Sequence, residues 1–201
     1  MAWIYKVTNK AGQMSQSDME NNAKEVFNQL SSYGWSLNAI SAVLGNMTKE
    51  SYINPAQTQI GYPINTMSGG YGLVQWTPAR KFKQWAIDEG HNITDGYWQL
   101  YDLDTQAHGT EYLVKPTYPL SYDEFKVSDG TPAYLTEVFL KNYERAGVEA
   151  LQERISWAEY WYDYLGGETP EPSPEPPTPP PPPTPIIERK GMPVWMMIRH
   201  I

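Results

Sequence analysis

The stretch from Ser36 to Pro55, SLNAISAVLGNMTKESYINP, decides the fold of this 201-residue chain. Its apolar residues recur every three or four positions, which is the spacing of one face of an α-helix. Ser36 is a favourable N-cap residue, and Asn54-Pro55 favours an extended backbone after the helix. The stretch therefore predicts an amphipathic helix whose buried stripe consists of Leu37, Ile40, Leu44 and Met47.

Glu50 lies near the C-terminal end of this predicted helix. At 3.6 residues per turn it falls about 100° from the centre of the apolar stripe, beside Val43. A carboxyl group at such an edge is partly buried, and partial burial favours its neutral form. A proton-donating acid in glycoside cleavage needs that property near neutral pH. Glu50 is therefore the candidate catalytic acid.

A glycine-rich segment, GGYGLVQWTP, follows at residues 69–78. Glycine permits positive φ and lets the backbone approach a ligand closely. The Gln75 side chain can both donate and accept hydrogen bonds, as the recognition of sugar hydroxyl or N-acetyl groups requires. Aromatic rings such as those of Tyr71 and Trp76 can cover the apolar face of a sugar. Taken alone, a segment of this kind is more often only a turn.

Further helix signals occur on both sides of the glycine-rich segment. Capping-box patterns and cap residues placed before proline indicate helix starts. Between Pro55 and Trp76, glycines and prolines instead indicate short β-like pieces. We expect an α+β, mainly α domain with a small β-hairpin insert. The helix starts are Ser17–Glu20, Thr77-Pro78, Ser121–Glu124 and Thr131-Pro132, and the final helix is expected over residues 148–165.

Composition restricts the class of protein. The net charge of −8 argues against a broad nucleic-acid surface, because phosphate binding needs clustered Lys and Arg. With no cysteine, and with three scattered histidines, we expect no metal and no cofactor. No run of residues is apolar enough for a membrane span, and the start of the chain lacks a signal-peptide pattern.

Composition changes abruptly after Gly166-Gly167. Between Thr169 and Pro185, 11 of 17 residues are proline, which predicts a stiff polyproline spacer. The last 16 residues form a short apolar tail containing Trp195. We therefore divide the chain into an N-terminal arm (1–16), a globular domain (17–167), a proline-rich linker (168–185) and an apolar tail (186–201).

The pattern Glu50-Ser51-x-x-x-Pro55, followed by Gly70-x-Gly72-Leu73-x-Gln75, resembles the paired motif of goose-type lysozymes and soluble lytic transglycosylases. The chain is still more similar to phage tail lysozymes, including tail-knob lysins of short-tailed phages that infect Gram-positive bacteria. The resemblance covers roughly residues 17–166. Its segments include Glu20–Ala23, Gly34–Ser36, Leu44–Asn46, Ile53–Pro55, Gly72–Trp76, Phe139–Arg145, Arg154 and Ala158.

This resemblance implies a lysozyme-like fold and cleavage of peptidoglycan glycan strands. It makes Glu50 the catalytic acid and places Ser51, Gln75 and Trp76 in the saccharide groove, with Tyr71 as a weaker candidate. No second carboxylate stands out, so hydrolysis and lytic transglycosylation both stay open. The remaining acidic candidates are expected on solvated helix faces or helix ends: Asp88, Asp95, Asp102, Asp104 and Glu111.

Three functions are compatible with these features. The first is a virion-borne tail lysozyme that opens the host cell wall during infection, with the apolar tail at residues 186–201 docking into a phage tail protein. The second is a free endolysin that releases progeny. The third is a structural or saccharide-binding tail protein without activity. The tail could also lie on a membrane or stay disordered, although its Met-rich composition favours protein contact.

Overall fold

The computed structural model describes residues 2–145 and 150–166 and is mainly helical. None of the helices in these two ranges is long and apolar enough to cross a membrane. The proline-rich linker and the apolar tail lie outside the described residues. In chain order the helices are α1 (Gln16–Ser32), α2 (Leu37–Ser51), α3 (Arg80–Asp88), α4 (Gly96–Thr105), α5 (Tyr122–Lys126), α6 (Pro132–Phe139), a π-helical turn (Leu140–Glu144) and α7 (Leu151–Leu165).

Helix α2 occupies the centre of the domain. It packs most extensively on α7 and also contacts α6 and α1. Gly45 makes the close approach to α7 possible, because a Cβ atom there would lie 2.8 Å from the Cβ of Ala158. The predicted stripe is confirmed in part as core, since Ile40 and Leu44 are fully buried. Burial on almost every side of α2 fixes the position of its C-terminal end, where Glu50 lies.

The caps show which helix-start predictions were right. The side-chain oxygens of Ser36, Ser121 and Thr131 each accept a hydrogen bond from a backbone N–H of the first turn, as expected. The capping box of α1, however, uses Ser15 with Asp18, two residues before the predicted Ser17 pattern.

The helix start predicted at Thr77-Pro78 is wrong. Helix α3 begins only at Arg80, and no side chain caps it. The preceding backbone is held by the glycine-rich segment instead, because the Ala79 N–H donates to the Gly69 carbonyl oxygen at 2.6 Å. Tertiary hydrogen bonding at this point replaces the local cap.

The small β-hairpin insert is not confirmed. Over the described residues, the region between Pro55 and Trp76 contains isolated bridges in place of named strands. Thr58 pairs with Tyr71, and Tyr71 pairs in turn with Trp76, both in antiparallel fashion. The segment therefore folds as irregular loops that single β-bridges tie together.

The N-terminal segment packs against the globular domain. The Ile4 N–H donates to Oδ1 of Asn22 on α1 at 2.9 Å, and Nδ2 of Asn22 donates back to the Ile4 carbonyl oxygen at 2.7 Å. Trp3 covers Gly96, where any Cβ would lie 2.3 Å from its ring. Residues 2–15 thus form part of the wall around the loops that follow α2.

Candidate active site

A cleft of about 680 Å³ opens beside the C-terminal end of α2. Its walls come from the N-terminal segment at Ala11, the end of α2, the loops at residues 57–60 and 70–77, and the end of the π-helical turn. Most of the lining residues have polar side chains, which can exchange hydrogen bonds with a hydroxyl-rich ligand. The lining residues are Ala11, Lys49, Glu50, Tyr52, Gln57, Gln59, Ile60, Gly70, Gln75, Thr77, Glu144 and Arg145.

Glu50 lies in the last turn of α2 with its side chain 19% exposed, so the predicted place at a helix end and the predicted partial burial are confirmed. Nη2 of Arg154 on α7 donates to Oε1 of Glu50 at 2.5 Å. Nη1 of Arg154 donates to Oδ1 of Asn46 at 3.0 Å, so the guanidinium is held by two residues of α2. A charge-assisted bond from a fixed donor restricts the orientation of the Glu50 carboxyl group.

The chain turns sharply where α2 ends. Tyr52 and Ile53 both adopt left-handed backbone conformations, with φ of 56° and 52°. The fully buried Ile53 anchors this turn in the core, while Tyr52 faces the cleft. Ser51 is also fully buried, and its hydroxyl donates to the Leu73 carbonyl oxygen at 2.8 Å. The Ser51 hydroxyl thus joins α2 to the glycine-rich segment from beneath the cleft.

Gln75 is one of three residues of the glycine-rich segment that line the cleft, together with Gly70 and Thr77. It has φ of 50°, and its Nε2 donates to the Gln57 and Gly72 carbonyl oxygens at 3.1 and 3.0 Å. Gly72 has φ of 81°, and a Cβ there would lie 2.6 Å from Oε1 of Gln99. Gly72 therefore has the positive φ and the close contact that the sequence predicted for glycine in this segment. The structure brings Glu50 and Gln75 to one cleft.

Tyr71 and Trp76 lie behind the cleft wall. Each has only 3% of its surface exposed, and both rings stack on Phe82. Nε1 of Trp76 donates to the Tyr143 hydroxyl at 3.1 Å, and burial raises the pKa of Tyr71 above its ordinary value. Trp76 reaches only a side pocket of about 80 Å³.

Glu144 is a second carboxyl group in the cleft wall, and the sequence alone gave it no role. It ends the π-helical turn that follows α6, and π-helical turns often occur at functional sites. Burial, followed by the negative charge of Glu50, raises the pKa of Glu144 well above its ordinary value, although Arg154 and Arg145 oppose that shift. Glu144 and Arg154 both lie in the C-terminal segments that resemble the family, and this resemblance was the sequence signal that could have identified them as site residues.

A charged network supports Arg145, the neighbour of Glu144 in the cleft wall. Its Nη2 donates to Oε2 of Glu111 at 3.0 Å, and Nζ of Lys81 donates to Oε1 of the same carboxylate at 2.6 Å. Burial by itself raises the pKa of Glu111, but hydrogen bonds from Lys81 and His108 lower it overall. Nδ1 of His108 in turn lies 2.5 Å from Oδ2 of Asp102.

Two acidic residues of this network correct a prediction. Asp102 and Glu111 were expected on solvated faces, yet Asp102 is fully buried and Glu111 is 8% exposed. Glu111 also lies in the loop between α4 and α5 rather than on a helix. The cause is the folded environment. His108 lies between the two carboxylates, and Lys81 and Arg145 from other segments form ion pairs with Glu111, so these partners offset the desolvation cost of burial.

A mainly helical domain that holds a carboxyl group at a helix end, above an open polar cleft, has the organisation of a lysozyme-like protein. The chain belongs to the phage tail lysozyme family, whose sequence profile matches residues 21–165. The match includes α2, the glycine-rich segment and α7, and hence every helix and loop that contributes Glu50, Gln75 or Arg154. The family assignment agrees with the resemblance seen in the sequence.

The chain is also similar to a curated phage protein, morphogenesis protein 1 of Bacillus phage B103. The two are 36% identical over 159 residues. The match covers 79% of this chain and 43% of the relative, so the chain spans less than half of the relative's length. Together, the two similarities show a lysozyme-like protein that is related to phage proteins.

Proposed function

We propose that the chain cleaves the β-1,4 bond between N-acetylmuramic acid and N-acetylglucosamine, with Glu50 as the proton donor. The observation that carries this proposal is the position of Glu50: a fixed, partly buried carboxyl group in the wall of a polar cleft. The membership of the phage tail lysozyme family supports the same substrate.

The chemistry follows from a carboxyl group beside a glycosidic bond. Glu50 gives its proton to the glycosidic oxygen, and the bond from C1 to that oxygen breaks with its electron pair going to the oxygen. In hydrolysis a water molecule then adds to C1. In lytic transglycosylation the C6 hydroxyl of the same sugar closes a 1,6-anhydro ring. The proposal favours hydrolysis, with transglycosylation as the alternative.

Gln75 is the proposed substrate contact in this cleft, since its side-chain oxygen is left to accept after Nε2 has bonded two carbonyl oxygens. Tyr52 supplies a half-exposed ring at the cleft, suited to the apolar face of a sugar. We propose that three further residues support substrate binding indirectly, because they pack behind the cleft wall and keep its shape: Ser51, Tyr71 and Trp76.

Digestion of purified peptidoglycan tests the activity. Wild-type protein is expected to release glycan fragments, and Glu50→Gln, which keeps the shape of the side chain, is expected to release almost none. General acids contribute about 100- to 10,000-fold in rate, so a loss of that size is expected. Mass spectrometry of the fragments separates reducing ends from anhydro ends. Equal release by both proteins would refute the catalytic role of Glu50, and release by neither would favour a saccharide-binding protein.

We propose further that the protein is part of the virion and acts locally on the host cell wall. The family of tail lysozymes and the printed name of the B103 relative, a morphogenesis protein, support this assignment. Residues 186–201 are the proposed docking segment for a phage tail protein. Immunoblots of purified particles test the proposal, since a free endolysin would be absent from them.

A further inference from the structure

Glu144 has features that a purely structural glutamate lacks. It faces the same cleft as Glu50, yet its Oε1 is buried and, within the described part of the chain, accepts no hydrogen bond. At such a place desolvation strongly destabilises an ionised carboxylate, whereas it destabilises a neutral carboxylic acid much less. Burial and the nearby Glu50 charge raise the pKa of Glu144, consistent with a protonated group.

Glu50 and Glu144 therefore have opposite environments. Arg154 donates a short hydrogen bond to Glu50, and a hydrogen bond from a cation favours a negatively charged acceptor. Other charged groups near Glu144 among the described residues are Lys49 and Arg145, which line the cleft, and Lys81 and Glu111, which share the side pocket with it. Two carboxyl groups that interact strongly titrate as one unit.

We infer that Glu50 and Glu144 carry one proton between them, with Glu144 as the positioning residue that stores it and Glu50 as the residue that delivers it. The inference rests on the proposed function of Glu50. It supplies the second carboxyl group that the sequence did not identify. It also explains how a glutamate bonded to an arginine obtains the proton that it donates in glycoside cleavage.

The steps conserve the proton. Glu144 passes its proton to Glu50, and Glu50 passes it to the glycosidic oxygen as the bond from C1 breaks. The incoming hydroxyl group, from water or from C6 of the sugar, forms the new bond to C1 and gives its own proton back to the pair. Glu144 then recovers the stored proton, and the pair begins the next turnover as it began the first.

The variant Glu144→Gln tests the inference, because glutamine keeps the shape of a neutral carboxylic acid but cannot release the proton. We expect kcat for glycan cleavage to fall at least about 10-fold with KM little changed, since acid catalysis is weakened. The alkaline limb of the pH profile should move to lower pH, and Glu144→Asp should restore part of kcat. Glu153→Gln is the matched control, because Glu153 is 64% exposed on α7.

An unchanged kcat and pH profile in folded Glu144→Gln would overturn the inference while leaving the proposed function intact. Carbon-13 NMR of glutamate carboxyl groups gives a second test on the wild-type protein, whether or not it cuts glycan. One carboxyl group should stay protonated at pH 7, and in Glu50→Gln the same group should titrate at lower pH. If every carboxyl group is ionised at pH 7, the stored proton does not exist.

Discussion

Replacing Arg154 by methionine removes the cation that holds Glu50 while keeping most of the side-chain volume. The Arg154 side chain is 3% exposed and that of Glu50 is 19% exposed, so the pair is largely shielded from water. Removing one partner of a buried ion pair costs about 3–5 kcal/mol. Because Glu50 keeps some contact with solvent, we expect Arg154→Met to lower the free energy of unfolding at pH 7 by about 3 kcal/mol, the lower end of that range.

A second substitution separates the charge effect from lost packing. In Arg154→Met/Glu50→Gln no unpaired carboxylate is left, so the double variant should be more stable than Arg154→Met alone. Lys49→Met is the matched control, because the Lys49–Glu153 pair is 38% and 64% exposed. Exposed pairs of this kind contribute about 0–1 kcal/mol.

Urea denaturation followed by circular dichroism measures all four proteins. Equal stability of Arg154→Met and the double variant would refute the argument, because it would mean that the Glu50 charge gains nothing from Arg154. A loss in Lys49→Met as large as that in Arg154→Met would refute it as well.

The remaining predictions concern packing, a buried hydroxyl and pH. Gly45→Ala should destabilise the domain by about 1–3 kcal/mol in thermal denaturation, because the new methyl group would collide with the backbone of Arg154. Ser51→Ala should lower the free energy of unfolding by about 1–3 kcal/mol, because the buried Leu73 carbonyl loses its donor. The pKa of Glu144 is raised in the folded state, so Glu144 contributes to the stability of the fold at acid pH, and this contribution is lost as the pH rises. Glu144→Gln should therefore equal the wild type in urea denaturation at pH 4 and exceed it at pH 8; equal stability at pH 8 would contradict the raised pKa.

Much of the fold could be predicted because its signals are local. The caps at Ser36, Ser121 and Thr131 involve residues within three positions of one another, so the sequence contains both partners. The failure at Thr77-Pro78 has the opposite cause. The backbone that follows it is bonded to Gly69 and Met67, which lie well beyond the reach of a helix cap, and no pattern of neighbouring residues predicts such bonds.

The candidate site divides in the same way. The helical periodicity predicted that Glu50 lies at a partly buried helix end, and the glycine-rich segment indicated Gln75 as a binding residue. The environment of Glu50 depends on Arg154, which lies 104 residues away along the chain. Neither the spacing nor the composition of the sequence relates residues at such a distance.

By itself, the sequence determined most of the helical framework and the position of Glu50 in the last turn of α2, because these depend on neighbours within one or two helical turns. Only the tertiary structure decided that Tyr71 and Trp76 lie behind the wall and that Glu144 shares the cleft with Glu50. Burial and electrostatic interaction depend on distance in space, and the packing of α7 on α2 sets those distances.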